Sequence, residues 1–395
     1  MTTRPRILVV TNFCTHYRAP LYELLHQRLG AEFVFFTEGT EKYWQAHLGV
    51  TPGLFPHKTL ARRTTFGTGY GLNTALLREL WTREYDVMIK CMNGRVELPA
   101  AFIAAQVRRR PFVLWTGMWM HPHTFFHRLS HPFAKLIYCR SDAIVTYGDH
   151  VSRFVIEEGA DASKVFPAEN ATALGLFGRP VSEGEAALCR DRHALGDGPV
   201  VLAVSRLVAQ KGLEYLIEAV GMLDPPRPVL AVVGTGDLAE TLSALASSRS
   251  VELRLVGGLK PGELAPLYSV AGVFVMPSIT TRTIKETWGL ACNEAMSQGV
   301  PVIATDAVGA AAGGLVVDGK TGIVVPERDS HAVAHALRRL LSEPGYAARL
   351  GDNGRERVQK TNYSNMADGF ERAVTHAVTH RRALRGSPRQ SRSDR

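Results

Sequence analysis

Two glutamates flank a Trp-Gly-Leu step at the start of a segment whose pattern predicts a helix over 289–298. Glu286 then lies in the loop before the helix, and Glu294 lies about one and a half turns inside it. Because a helix rises 1.5 Å per residue, the two carboxylates are roughly 12 Å apart and cannot share a proton. They can hold two ends of one elongated ligand, while the N–H groups of Gly289 and Leu290 suit a phosphate between them. The pattern predicts a site for a nucleotide sugar.

Each glutamate also has a simpler interpretation, as an ordinary loop residue for Glu286 and a helix-surface residue for Glu294. Against the second interpretation, Glu294 falls beside small residues, Ala291 and Ala295, on a helix face that should pack inward. A carboxylate on a buried face needs a partner, and a ribose diol would serve as one.

Two cations occupy the segment SRLVAQKGL (205–213). Arg206 follows a predicted strand and Lys211 precedes the next predicted helix, so both side chains can point into one cleft. Two cations without an acidic neighbour suit a diphosphate leaving group as its bond to a sugar breaks. The alternative is a pair of surface residues near a turn.

A Gly-x-Gly-x-x-Ala motif with Gly234 and Gly236 follows another predicted strand, in VVGTGDLAE (232–240). A dinucleotide site would require an acid about 20 residues further on, at the end of the next strand. Glu252 instead begins that strand. A loop that packs against a nucleotide therefore fits better than an NAD site.

The sequence contains no Asp-x-Asp, HExxH or CxxC pattern, and the GxSxG and Walker A loops are also missing. We therefore expect no metal and no cofactor. The five cysteines are scattered, as is typical of reduced thiols. Four clustered histidines are interpreted as surface residues, with a catalytic role as the alternative: His121, His123, His127 and His131.

Strands and helices alternate in both halves of the 395-residue chain, which is long enough for two domains. The pattern predicts an α/β fold of two doubly wound parallel sheets that face each other across a cleft at the carboxyl ends of their strands. Residues 1–178 form the predicted first domain and 195–360 the second, with an interdomain linker in the Gly- and Pro-rich segment 176–199. A helix near 362–380 is expected to pack back on the first domain. The segment 381–395, with six Arg and one Asp, is a predicted disordered tail.

The net charge of +9 is unevenly placed, because residues 98–141 contain no Asp or Glu. This stretch is either a solvated basic face or a surface for anionic lipid headgroups or a phosphorylated acceptor. No nucleic-acid-binding motif accompanies the charge. Without a recognisable signal peptide or membrane span, we expect a cytoplasmic protein, with attachment at the inner face of the membrane as an alternative.

The second half resembles glycosyltransferase family 4, whose members use nucleotide sugars and have the two-domain GT-B fold. The resemblance rests on five segments in the family's order and spacing: VSRLVAQKGLEYLIEAV, VVGTGDL, LVGGLKPGELAPLYSVAGVFVMPS, KETWGLACNEAMSQGVPVIATDAVG and VVDGKTGIVVP. It implies metal-independent transfer with retention of configuration. It also implies that Arg206 and Lys211 bind the diphosphate, that Glu286 binds the donor sugar and that Glu294 binds the ribose.

The first half matches this family less well. The loop after the first strand, TNFCTHYRAPLYELL, lacks the glycines of many members, and its Tyr-Arg-x-Pro pattern makes Arg18 a candidate for binding an anion. Many members also have a histidine near the reacting sugar, at a position that corresponds here to Gly117. His121 is a candidate substitute for it.

These features predict a hexosyltransferase that moves a sugar from a UDP- or GDP-sugar to a hydroxyl of a lipid-linked glycan or a secondary metabolite. One alternative is a phosphorylase or a sugar-phosphate synthase with the same fold. Another is a non-catalytic scaffold that binds nucleotide sugars. Against this last alternative, a non-catalytic scaffold would not need the complete set of Arg206, Lys211, Glu286 and Glu294.

Overall fold

A computed structural model describes residues 4–39, 54–60 and 73–386, and their side chains as far as residue 381. In the first half, strands run parallel in the order β3-β2-β1-β4-β5-β6-β7. Helices cover both faces of this sheet, as expected for central strands that are buried almost throughout, while the edge strands are more exposed. The strands are β1 (Ile7–Thr11), β2 (Glu32–Phe35), β3 (His57–Thr59), β4 (Val87–Cys91), β5 (Phe112–Thr116), β6 (Ala143–Thr146) and β7 (Val165–Pro167). The helices are α1 (Ala19–Leu29), α2 (Thr74–Thr82), α3 (Glu97–Val107), α4 (Phe125–Arg140) and α5 (Asp149–Glu157).

The second half repeats this architecture with strands in the order β10-β9-β8-β11-β12-β13, again all parallel. The two sheets confirm the predicted α/β class and its two Rossmann-like units. The strands are β8 (Val200–Val204), β9 (Val229–Val233), β10 (Leu253–Gly257), β11 (Val273–Met276), β12 (Val302–Thr305) and β13 (Ile323–Val325). The helices are α6 (Leu174–Phe177), α7 (Glu183–Arg192), α8 (Leu213–Gly221), α9 (Ala239–Ser248), α10 (Leu264–Val270), α11 (Leu290–Ser297), α12 (Gly309–Ala312), α13 (Ser330–Ser342), α14 (Pro344–Gln359) and α15 (Tyr363–Gly386).

The segment predicted as a linker, 176–199, is instead partly helical. Helix α7 starts with a capping box in which Ser182 and Glu185 satisfy each other's backbone N–H groups. Phe177 and Cys189 are buried in the core of the second sheet, so this segment packs as part of the second unit. The sequence pattern did not predict α7, because the glycines and prolines around it, together with Gly184 in its first turn, suggested an irregular segment.

Helix α15 returns to the first sheet, where Phe370 is buried against Trp115. Two ion pairs attach the helix near its ends. Arg381 of α15 pairs with Asp142 at 2.7 Å, and Asp368 of α15 pairs with Arg28 at 2.6 Å. The predicted tail therefore begins inside a helix that continues to Gly386, and residues 387–395 lie outside the described ranges. No helix in the described parts of the chain has both the length and the apolar composition that crossing a membrane requires.

Candidate functional site

Two cavities lie between the units, at the carboxyl ends of the parallel strands. The larger, of about 520 Å³, is formed mainly by loops of the first sheet, and the smaller, of about 230 Å³, mainly by loops of the second. Tyr17 and Arg206 line both, so the two cavities meet at these side chains. This is where open parallel sheets bind their ligands. The larger cavity also contacts Arg18, Asn93, Trp115, Tyr147 and Thr287, and the smaller one His16, Gly234, Leu290, Ala291 and Glu294.

Lys211 and Glu286 form an ion pair at the edge of the second sheet where its strands have their carboxyl ends. Lys211 ends a short 3-10 turn after β8, and Glu286 lies in a loop that bridges to Val308. The Ser278 hydroxyl donates a second hydrogen bond to the same carboxylate oxygen, at 3.3 Å. Burial alone would raise the pKa of Glu286, but the charge and hydrogen bond of Lys211, with help from Ser278 and Arg206, lower it. Glu286 is therefore an anion at neutral pH.

Glu294 projects from α11 into the smaller cavity, where the Tyr268 hydroxyl donates a hydrogen bond to its carboxylate at 2.7 Å. Burial raises the pKa of Glu294 to about 7, and the hydrogen bond from Tyr268 only partly opposes this. No cation of the described residues forms an ion pair with Glu294. Its second oxygen can accept hydrogen bonds from a ligand that has two hydroxyl groups.

Helix α11 begins at Leu290, one residue after the predicted start, and Gly289 is its N-cap. Gly289 has a φ of 94°, and a Cβ there would lie 2.4 Å from the sulfur of Met276. Trp288 is buried and donates its Nε1 hydrogen to Asn293 at 2.8 Å, which orients the start of the helix. Leu290 lines the smaller cavity beside Glu294, so the N-terminus of α11 faces the space available to a ligand.

Gly234 and Gly236 allow the loop after β9 to pack on the loop that contains Arg206. A Cβ at Gly234, which has a φ of 139°, would lie 1.9 Å from the Ser205 carbonyl oxygen. A Cβ at Gly236 would lie 2.3 Å from the carbonyl oxygen of Leu207. The glycines thus position Arg206 through its neighbours. Gly234 also lines the smaller cavity, whereas Gly236 lines neither of the two.

Arg18 lies in the larger cavity and is only 6% exposed. Its guanidinium donates to the Tyr147 hydroxyl at 2.7 Å and lies 4.9 Å from the centre of the Trp115 ring. Within the described ranges, Arg18 pairs with no carboxylate. A buried cation held by aromatic rings and one hydroxyl can pair with an anionic ligand.

His121 lies outside the two cleft cavities and lines neither of them. Its ring packs on His131, at 4.1 Å between ring centroids, and on Phe154. His121, the candidate replacement for the histidine of related enzymes, therefore does not line the cleft. A Cβ at Gly117 would lie 2.5 Å from the Tyr147 ring, so the position itself has no room for a side chain as the structure stands.

Two aromatic side chains of the first unit reach the Glu286 loop, and sequence reasoning missed both. Trp119 donates its Nε1 hydrogen to the Glu286 carbonyl oxygen at 2.9 Å. His150, near the start of α5, contacts the Thr287 carbonyl oxygen at 3.1 Å, and burial lowers its pKa to about 4. A neutral His150 therefore connects the two units at neutral pH. The sequence signal for His150 was its position at the start of a helix that directly follows a strand, where cleft residues of such sheets lie.

Parts of the chain match a known family and known proteins. Residues 189–357 match the family described as "Glycosyl transferases group 1". A GDP-mannose-dependent alpha-(1-6)-phosphatidylinositol monomannoside mannosyltransferase of Mycolicibacterium smegmatis is 35% identical over 224 residues, which cover 55% of this chain and 54% of the relative. The alpha-D-kanosaminyltransferase of Streptomyces kanamyceticus is 31% identical over 265 residues, covering 64% and 66% of the two chains. The chain thus spans between about half and two thirds of these relatives.

Solved structures with a similar fold extend over nearly the whole chain. HepE of Anabaena, solved in complex with UDP and glucose, has a TM-score of 0.74 at 19% identity and covers 94% of this chain and 99% of its own. WaaG, a glycosyltransferase involved in lipopolysaccharide biosynthesis, has a TM-score of 0.69 at 14% identity and covers 93% and 99%. The architecture is the GT-B fold, and the chain carries a domain of the glycosyl transferases group 1 family in residues 189–357.

Proposed function

We propose that this protein is a retaining, metal-independent glycosyltransferase that moves a hexose from a UDP- or GDP-sugar to a hydroxyl group. The observation that carries the proposal is the largely buried Lys211–Glu286 ion pair, which lies close enough to Arg206 for that charge to lower the pKa of Glu286. Arg206 itself lines both cavities. A carboxylate and two cations at one point match a donor sugar and the diphosphate attached to it.

The charges around the smaller cavity support a position for the donor in that cavity. Glu294 would bind the ribose hydroxyls, and the start of α11 together with Arg206 and Lys211 would bind the diphosphate. Glu286 would then accept hydrogen bonds from hydroxyls of the hexose. With this orientation the anomeric carbon lies near the larger cavity, where an acceptor can approach.

In the transfer step, the bond from the anomeric carbon to the diphosphate oxygen breaks and a bond to the acceptor oxygen forms. Arg206 and Lys211 stabilise the negative charge that develops on the leaving diphosphate. The departing phosphate oxygen takes the proton of the acceptor hydroxyl on the same face of the sugar, which retains the configuration. No metal is needed, because the two side chains supply the positive charge.

The acceptor would occupy the larger cavity, and Arg18 favours one with an anionic group next to its hydroxyl. The Mycolicibacterium relative is named for a phosphatidylinositol mannoside and the Streptomyces relative for kanosaminyl transfer. We therefore propose a lipid-linked glycan or a secondary metabolite as the acceptor, and the name of the Mycolicibacterium relative supports the lipid-linked class.

An exposed apolar face on α4 supports the lipid-linked choice. Phe125 and Leu129 are 84% and 74% exposed, one helical turn apart, and Leu136 continues the same side of the helix. Arg128 and Lys135 are exposed next to them. Exposed apolar side chains flanked by basic residues are typical of a helix that lies on an anionic membrane surface.

A panel of nucleotides and nucleotide sugars tests the donor proposal. We expect UDP or GDP, and the matching sugar, to raise the melting temperature with no added metal and in the presence of EDTA. Transfer of label from that donor to water or a test acceptor then distinguishes an enzyme from a scaffold. Stabilisation and turnover by sugar 1-phosphate with free phosphate, and none by nucleotides, would support the phosphorylase instead.

A further inference from the structure

Three side chains that can bind a metal meet in the first unit, and none of them lines either cleft cavity. His121 lies in the loop after β5, His131 on α4, and Glu158 directly after α5. One ligand atom from each lies within 4.8 Å of the others. We propose that His121, His131 and Glu158 bind a divalent transition-metal ion, of which zinc fits best, at a structural site separate from sugar transfer.

The distances between the ligand atoms suit a tetrahedral ion. His131 Nε2 lies 2.8 Å from Glu158 Oε2, and His121 Nε2 lies 3.8 Å from the same oxygen. Zinc binds imidazole nitrogen and carboxylate oxygen at about 2.0–2.2 Å, so two ligands of one tetrahedron are roughly 3.4 Å apart. The two observed separations lie on either side of this value. The third pair, the two imidazole nitrogens, lies within 4.8 Å, so side-chain shifts of roughly 1 Å would place all three ligands around one ion.

The hydrogen bonding of His121 is incomplete without a ligand. Its Nε2 atom is buried, points toward Glu158 and has no hydrogen-bond partner among the described residues. A buried imidazole nitrogen without a partner is unfavourable, because it has lost its contacts with water. A metal ion would bind this nitrogen directly, whereas Glu158 already interacts with His131.

The ligand types and their surroundings favour zinc over calcium or magnesium. Two imidazoles and one carboxylate match the nitrogen and oxygen ligands that zinc takes, while calcium requires six to eight oxygens. Tyr138 and Phe154 pack against the His121 ring and hold its orientation. His131 is 40% exposed, so water can reach the ion as the fourth ligand.

The position of the site indicates a structural role. The loop that contains His121 also carries Trp119, which donates to the Glu286 carbonyl oxygen, and His123, whose N–H donates to the Arg282 carbonyl oxygen at 2.6 Å. An ion bound by this loop, α4 and α5 would connect the three elements. It would therefore restrict the motion of the part of the first unit that contacts the Glu286 loop.

Cobalt and zinc titrations of tag-free, EDTA-treated protein test the site. We expect one Co²⁺ per chain, with the absorption between about 500 and 650 nm that tetrahedral nitrogen and oxygen ligands produce, and displacement by one equivalent of Zn²⁺. His131→Ala and Glu158→Gln should each lower the affinity at least tenfold. His123→Ala is the matched control, because it removes an exposed histidine from the same loop and should leave the affinity unchanged.

Hydrogen exchange adds a readout that does not depend on activity. Zinc should slow exchange at residues 117–124 in the native chain, and it should have no effect there in Glu158→Gln. The proposal is wrong if the chain binds no Co²⁺ in this test. It is equally wrong if His123→Ala lowers the affinity as much as His131→Ala does, since binding would then belong to scattered surface histidines.

Discussion

Lys211 and Glu286 pair across 75 positions of sequence, and the Ser278 hydroxyl donates to the same carboxylate oxygen. The pair keeps an anion and a cation together at the point where a diphosphate sugar would present its sugar and its phosphate. A ligand can compete for each partner, since both side chains keep some exposure, 14% for Lys211 and 17% for Glu286.

Substitutions in this pair should separate binding from transfer. Glu286→Gln keeps the shape and should lower turnover roughly 100- to 1,000-fold, with nucleotide affinity retained. Lys211→Ala should lower both turnover and nucleotide affinity, because the diphosphate loses a charged partner. Steady-state kinetics and nucleotide titration measure the two effects. Glu240→Gln and Lys320→Ala, at exposed positions of the same unit, are the controls and should match the parent.

Glu294 should make stability depend on pH near neutrality. Its pKa is raised from 4.5 to about 7 in the folded protein, so the folded state binds more protons than the unfolded state between these values. The contribution of Glu294 to stability is present below about pH 4.5 and declines as the pH rises to about 7. Relative to Glu294→Gln, the parent should therefore lose melting temperature between pH 5 and 8. A constant difference between the two proteins over this range would contradict the prediction.

Arg18 should give the larger cavity an affinity for anions. Inorganic phosphate should raise the melting temperature of the parent protein, and Arg18→Met should lose part of this effect because the buried charge is gone. Lys211→Ala, measured in parallel, reports phosphate bound at the donor position instead. If phosphate stabilises Arg18→Met as strongly as the parent, Arg18 does not bind an anion.

Gly234→Ala should displace the loop that carries Arg206. The added Cβ would meet the Ser205 carbonyl oxygen, and the positive φ would itself be strained, so we expect a loss of about 1–3 kcal/mol or more in the free energy of unfolding. Nucleotide affinity should fall as well. Gly198→Ala is the control, because a Cβ at Gly198 has no atom within 4 Å. Urea denaturation compares the variants, and equal stability of the two would refute the packing role.

Helix α4 should bind anionic liposomes through its exposed apolar face. Sedimentation with vesicles of phosphatidylglycerol and phosphatidylcholine should capture the parent, with binding that weakens as salt is added. Leu129→Asp should reduce capture at least tenfold, because a charge replaces an inserted side chain. Leu188→Asp alters a side chain of similar exposure, 68%, on α7 and should have no effect. Binding to pure phosphatidylcholine alone would argue against an anionic surface.

The sequence predicted the alternation of strands and helices in both halves, and the bounds of α11 to within one residue, because buried β-strands and amphipathic helices have distinct periodicities. It missed α7, although the spacing of Ser182 and Glu185 is a capping-box signal, because neighbouring glycines and prolines suggested a linker. It also missed α14 (Pro344–Gln359), which contains three glycines and no continuous apolar stripe. Local composition was misleading where tertiary packing decided the structure.

By itself, the sequence determined the α/β alternation and the candidate set Arg206, Lys211, Glu286 and Glu294. Local patterns place the two cations between a strand and a helix, and the two glutamates before and within another helix. Only the tertiary structure decided which side chains meet. Tyr268 on Glu294, Tyr147 on Arg18 and Glu158 between two histidines all depend on how distant elements pack. The order of strands in each sheet sets these neighbours, and that order results from the burial of apolar faces far apart in the chain.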